Sequence, residues 1–161
     1  MKKVITLLFS ILLLTSCGVT SDDVVAQSDM WRVELHSAET AESLTATQAA
    51  IQYGGEILET VSEVTPESGN VFLLLELKIE KSGAGRGAFL WSEAFVVDED
   101  DGVYHRHPND TFLANLGIPR IRGTDIVFGE EYGYVCFEIP KEASGLRFVA
   151  DGGNIEIRIG I

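Results

Sequence analysis

The chain has 161 residues, 45% hydrophobic and 23% charged, which suits one soluble domain with room for an appendage. Twelve Lys and Arg stand against 25 Asp and Glu, a net charge of −13. No basic stripe is present to neutralise nucleic-acid phosphates or to dock on anionic lipid. Two cysteines, Cys17 and Cys136, exclude a disulfide scaffold and a four-cysteine zinc site.

The N-terminus carries the strongest signal. Lys2 and Lys3 precede an almost unbroken apolar run from Val4 to Leu14. As a helix that run rises about 16 Å, about half of a hydrocarbon core of roughly 30 Å, so it reads as a secretory signal peptide rather than a transmembrane span. Leu14-Thr15-Ser16-Cys17 then resembles the bacterial lipobox. That resemblance implies diacylglycerol on the Cys17 thiol, cleavage just before it, and an α-amine open to further acylation. Two or three acyl chains hold a protein on a bilayer stably where one does so only marginally. The expected organisation is a signal peptide over 1–16, a lipidated cysteine with a flexible tether over 17–29, and one domain over 30–161. Cleavage removes Lys2 and Lys3 and no acid, so the net charge moves from −13 to −15. Residues 18–67 hold ten acids against Arg32 alone, which should repel the domain from an anionic surface.

Beyond the tether, Trp31, Val33 and Leu35 alternate with polar residues as in a half-buried strand. Residues 38–53 mix helix formers with Thr40, Ser43, Thr45 and Thr47, and read as a long loop with one helical turn. Ile57, Val61 and Val64 lead into the turn Pro66-Glu67-Ser68-Gly69-Asn70. Val71, Leu73, Leu75, Leu77 and Ile79 share one face of a long central strand. Ser82 to Gly87 breaks it. Phe89–Trp91 and Ala94–Asp98 follow as strand material, then an Asp101-Gly102 hairpin signal and a return over Val103–His107, stopped by Pro108. Residues 109–123 read as a loop tacked down by Phe112, Leu113, Leu116 and Ile118. Thr124–Phe128, Tyr132–Ile139, Leu146–Ala150 and Ile155–Ile159 complete the strands. On Tyr132–Ile139 the expected core face is Val135, Phe137 and Ile139.

Seven to nine short strands with turn signals between them and no long amphipathic helix predict an all-β, antiparallel sandwich. No helices are present to supply the crossovers that a parallel sheet needs.

Over about residues 69–150 the chain resembles a family of bacterial lipoproteins and secreted proteins with an immunoglobulin-like, telokin-like fold, to which a mycobacterial secreted antigen is also similar. The resemblance rests on Gly69-Asn70-Val71-Phe72 opening a long apolar strand, and on the acidic Asp98–Gly102 turn followed by Tyr104. It rests also on Phe128-Gly129-Glu130-Glu131 before Gly133-Tyr134-Val135-Cys136-Phe137-Glu138-Ile139-Pro140-Lys141. It implies an immunoglobulin-like domain and no catalytic residues. Tyr134-x-Cys136 matches the tyrosine corner of antibody domains only by period, since Leu73 and Leu75 stand where a partner cysteine would be.

No G-x-S-x-G, H-E-x-x-H, Walker loop or C-x-x-C occurs. Gly83-x-Gly85-x-Gly87 has no helix behind it to cradle phosphate and reads as a mobile inter-strand loop. Cys136, at a strand centre, reads as an inert, partly covered residue. One constellation could carry chemistry. A two- or four-residue hairpin at Asp101-Gly102 would project Asp98, Asp100, His105 and His107 from one face, with Phe95, Val97 and Tyr104 on the other. Two imidazoles and two carboxylates suit zinc, but a twisted, exposed hairpin lacks supporting groups, so weak or absent metal binding is expected. The expected function is a non-enzymatic, cofactor-free interaction module. It would be anchored on the outer side of the bacterial cell membrane, or on the outer membrane, and meet an envelope protein or polymer. The alternative is an immunoglobulin-like protease inhibitor or envelope-stress protein, although the Asn-Pro-Thr-Thr-Gly loop of such inhibitors is missing.

Overall fold

Residues 24–51 and 57–161 are described by the computed structural model; the expected signal peptide over 1–16, Cys17 and residues 18–23 lie outside the described residues, as do 52–56. Strand β1 (Val24–Gln27) pairs antiparallel with β2 (Trp31–Ala41), Val24 opposite Leu35 and Gln27 opposite Arg32. The Ser28 hydroxyl makes the reversal by accepting the Trp31 N–H at 3.1 Å. The stretch read as a tether therefore contains a strand in its second half, formed by β-branched Val24 and Val25.

Residues 38–41 and 44–51 are strand, not loop and helical turn, and 52–53 lie outside the described residues. β2 continues to Ala41 through a bulge between Leu35 and Ser37, and β3 (Leu44–Ile51) pairs with β4 (Ile57–Val64) from Leu44 opposite Val64 to Ile51 opposite Ile57. Pairing decides the matter: β2 gains a partner along its whole length, and weak helix propensities yield to that ladder.

β5 (Asn70–Lys81) lies between β2 and β8 (Glu130–Pro140), with Leu75 facing Ala38 on one side and Val135 on the other. The first sheet is thus β1-β2-β5-β8. A second sheet runs β10-β9-β6-β7, built from β6 (Phe95–Val97), β7 (Val103–His105), β9 (Arg147–Ala150) and β10 (Ile155–Arg158). All pairings within these sheets are antiparallel. The expected strand at Thr124–Phe128 reduces to a single bridge, Ile126 to Phe89, and Phe89–Trp91 runs into a 3-10 turn over Trp91–Glu93.

The principal core lies between the sheets. Val33 and Leu35 of β2, Leu73, Leu75, Leu77 and Ile79 of β5, and Val135, Phe137 and Ile139 of β8 meet Val96, Phe148 and Ile157 across the gap. The expected core face of β8 is the observed one. A second, smaller core covers half of the opposite face of the first sheet, where Phe72, Leu74 and Cys136 meet Leu113 of the short helix α1 (Phe112–Asn115) and Leu44 at the root of the β3–β4 hairpin. β5 consequently has five consecutive buried residues, Val71 to Leu75, because both its faces are covered there.

The segment after α1 docks on β8 backbone to backbone. Tyr134 N–H donates to the Pro119 carbonyl at 2.7 Å, and Ile121 N–H to the Tyr134 carbonyl at 3.0 Å. Gly133 permits this approach: it has φ +147°, and a Cβ there would lie 2.9 Å from the Pro119 oxygen.

Candidate functional site

The Asp98–His107 hairpin was the one candidate for chemistry, and its register separates the four side chains. Val97 pairs with Val103, Val96 with Tyr104 and Phe95 with His105, so the loop is the five residues 98–102. An odd count turns the return strand over relative to an even one. Phe95 and Val97 now share a face with His105, and Tyr104 takes the other. Asp98 accounts for the length. Its Oδ1 accepts the Gly102 N–H at 2.7 Å and the Asp100 N–H at 3.0 Å, while Oδ2 accepts the Tyr104 hydroxyl at 2.6 Å. A Cβ on Gly102 would lie 2.5 Å from the Tyr104 oxygen, so this residue must be glycine.

These bonds, the Tyr104 hydroxyl first and the Gly102 amide next, hold the Asp98 carboxyl below the usual carboxylate range. The same carboxylate is the main cause pushing the Tyr104 phenol up to about 12. Asp98 is a structural clasp for its own loop. His105 packs edge-to-face on Phe95 at 5.9 Å. His107 belongs to the second core, its ring 5.4 Å from that of Phe112 and its Nε2 3.8 Å from Glu138 Oε2. Among the described residues no three His, Cys, Asp or Glu side chains converge as metal ligands would.

The glycine-rich segment has a packing role. Gly83 N–H donates to the Met30 carbonyl at 3.2 Å, and Cβ atoms on Gly85 and Gly87 would collide with the Met30 side chain. Lys81 Nζ closes the loop on the Gly87 and Val127 carbonyls at 2.9 Å each. The segment read as mobile is thus pinned at both ends. Cys136 is fully buried rather than partly covered, and burial pushes its thiol up to about 12, far from the thiolate that acts as a nucleophile.

Two features escaped the sequence reading. The first is a buried charge group. Asp110, 4% exposed, receives Arg106 Nε at 2.7 Å on Oδ2 and Arg120 Nη1 at 3.0 Å on Oδ1. Arg106 also donates to the Ile121 and Arg122 carbonyls at 2.5 and 3.0 Å, and its guanidinium lies 4.3 Å from the Trp91 ring centre. The group ties the 106–122 segment to the edge of β8, where Arg106 forms an antiparallel bridge with Phe137. It is a satisfied clamp: Asp110 accepts from both arginines, and Arg106 donates through Nε, Nη1 and Nη2. The spacing of Arg106 and Asp110 resembles a helical pair, but they lie outside any helix, so only the fold could reveal them.

The second feature is the β3–β4 hairpin. It forms a two-stranded sheet of its own, and among the described residues neither strand pairs with any other. Its root is fixed by Leu44 and Val64 in the second core, and Lys141 bonds the adjacent Glu42 at 2.8 Å. Thr60 to Glu63 are exposed on consecutive positions, hence on both faces, and Val61 retains 64% of its surface. Elsewhere on the described surface an open depression is lined by Gln27, Asp29, Met30 and Asp151.

No protein-family model matches the sequence, and no curated protein matches it either. Among solved structures, the chain is similar to a conserved hypothetical protein from Bacillus anthracis, at 14% identity and a TM-score of 0.56, over 91% of this chain and 96% of that one. Weaker likenesses are to a chain from Bacillus subtilis named as a candidate lipoprotein (12% identity, TM-score 0.48, 88% of this chain and 39% of that one) and to a β-sandwich protein from Clostridium difficile (15%, 0.45, 88% and 92%). The first likeness spans nearly the whole of both chains and, with the two packed sheets described above, shows the fold: an all-β, antiparallel β-sandwich.

Proposed function

We propose that this chain is a lipid-anchored, extracytoplasmic interaction module of the bacterial cell envelope, built on an immunoglobulin-like sandwich and without catalytic function. The observation that carries the reading is Leu14-Thr15-Ser16-Cys17 placed directly behind a short apolar run and two lysines. Residues 18–23 separate Cys17 from β1, and such a length of extended chain reaches about 20 Å. An acyl group on Cys17 would hold the domain close to the bilayer, while the acids of its first half keep it from lying flat on anionic lipid. The satisfied clamp at Asp110, the structural clasp at Asp98 and the buried Cys136 support an interaction role rather than chemistry.

The test is detergent phase partition of the chain expressed with its leader in a bacterial host. The wild-type product should enter the detergent phase, and the Cys17→Ala product should remain uncleaved or appear in the aqueous phase. Detergent partition of a cleaved Cys17→Ala product would contradict the proposal.

A further inference from the structure

Among the described residues, sheet edges are short or covered, with one exception. Among the described residues, the outer strands β1, β7 and β10 have four, three and four residues. The long β8 is covered on its free side by the Arg106 and Arg120 bridges. The β3–β4 ribbon differs, since each strand has eight residues and pairs only with the other. An open strand presents a row of backbone N–H and C=O groups to any extended chain that can pair with it, and proteins commonly blunt such edges with Pro or Lys. Neither strand contains Pro, Lys or Arg. A free two-stranded ribbon is at best marginally stable in water, so a further strand would stabilise it.

The charge decides which strand fits. No Lys or Arg occurs anywhere from Val33 to Leu77, whereas β4 contains Glu59 and Glu63, with Glu56 just before it and Glu67 just after. A second copy of this chain would bring the same acids together under a net charge of −13. A cationic strand would meet opposite charge across the new ladder.

We propose that the outer edge of β4 is a strand-addition site for an extended, cation-bearing segment of a partner protein. Main-chain hydrogen bonds along Ile57–Val64 supply the attachment, and the carboxylates select for Lys or Arg on the incoming strand. The inference rests on the interaction-module reading, but not on the lipid: a chain that fails to bind such a strand can still be anchored at Cys17, and an unanchored chain can still bind it.

The experiment is fluorescence-anisotropy titration of the full chain, carrying Cys17→Ser, with labelled octapeptides of alternating Lys and Val. Three probes are compared: the Lys–Val peptide, the same peptide N-methylated at alternate residues, and a Glu–Val peptide. The Lys–Val peptide should bind saturably. Its N-methylated form has the same charge but cannot complete the ladder, and should bind at least tenfold more weakly. A Glu59→Lys, Glu63→Lys variant keeps the ribbon backbone and should reverse the preference toward the Glu–Val peptide. Equal binding of the first two probes would reduce the effect to charge alone and overturn the proposal. So would the absence of binding, an unchanged preference in the double variant, or a protein whose ribbons pair with each other as a dimer in sedimentation.

Discussion

Cys136 lies within β8 and Asp98 opens the loop after β6, and their surroundings move their ionisation in opposite directions. The Cys136 thiol has no exposed surface and is pushed up to about 12 by burial. With Cys17 acylated or replaced by Ser, a thiol reagent at pH 8 should label Cys136 only as the chain opens. Labelling should be on the order of a thousandfold slower than in denaturant, for a domain of ordinary stability. Rapid labelling of the native chain would mean that the second core is open. The Asp98 carboxyl is held below its unfolded value, chiefly by the Tyr104 hydroxyl. A depressed carboxyl contributes stability that is complete above its unfolded pKa and is lost as pH falls through its folded one. Tyr104→Phe removes the main cause of the depression, so the loss should begin at higher pH. The acid-unfolding midpoint of the variant, followed by circular dichroism, should move upward; a midpoint equal to wild type would show that the clasp contributes nothing. Neither environment was legible from residue types. Asp98 could be read as a free carboxylate because the loop length that engages it depends on its own hydrogen bonds.

At the scale of elements, the sequence was most informative where one rule decided the outcome. β5 and β8 carry apolar residues at every second position, and Val135, Phe137 and Ile139 face the core as that period predicts. The segment over 109–123 is tacked down by Phe112, Leu113, Leu116 and Ile118 as expected, but Phe112–Asn115 form the short helix α1 rather than loop. Legibility failed where a partner strand decided. Residues 38–53 have mixed propensities, and only pairing with β5 and between β3 and β4 makes 38–41 and 44–51 strands. The hairpin register failed for want of a single residue in the loop count. The clamp at Asp110 could not be read at all, since Arg106, Asp110 and Arg120 meet only after the chain has crossed to the edge of β8. Its weight is testable. Asp110→Ala leaves the Arg106 guanidinium, its side chain 9% exposed, without its carboxylate, and breaking a buried pair from one side typically costs about 3–5 kcal/mol. Urea denaturation should show a loss near the lower end, about 3 kcal/mol, because the Ile121 and Arg122 carbonyls and the Trp91 ring still receive the cation. A loss below about 1 kcal/mol would make the clamp ornamental.

At the scale of the molecule, the proposed lipid on Cys17 would hold the two-layer domain near a bilayer, and its acidic charge would keep it from lying on anionic lipid. The principal core lies between the two four-stranded sheets, and among the described residues the β3–β4 ribbon pairs with neither of them. Fold class was fully legible from strand number and turn spacing. The ribbon was not, because nothing in Leu44–Val64 distinguishes a strand within the sandwich from one standing clear of it.

The claim on which the account turns is covalent lipid at Cys17, and intact mass spectrometry of the mature protein, isolated from membranes with detergent, addresses it most directly. The account predicts a chain beginning at Cys17, its mass raised by a diacylglyceryl group with or without an amide-linked acyl chain, and the same addition located on the N-terminal peptide. A mature chain of unmodified mass, with Cys17 present as a free thiol or removed with the leader, would contradict it.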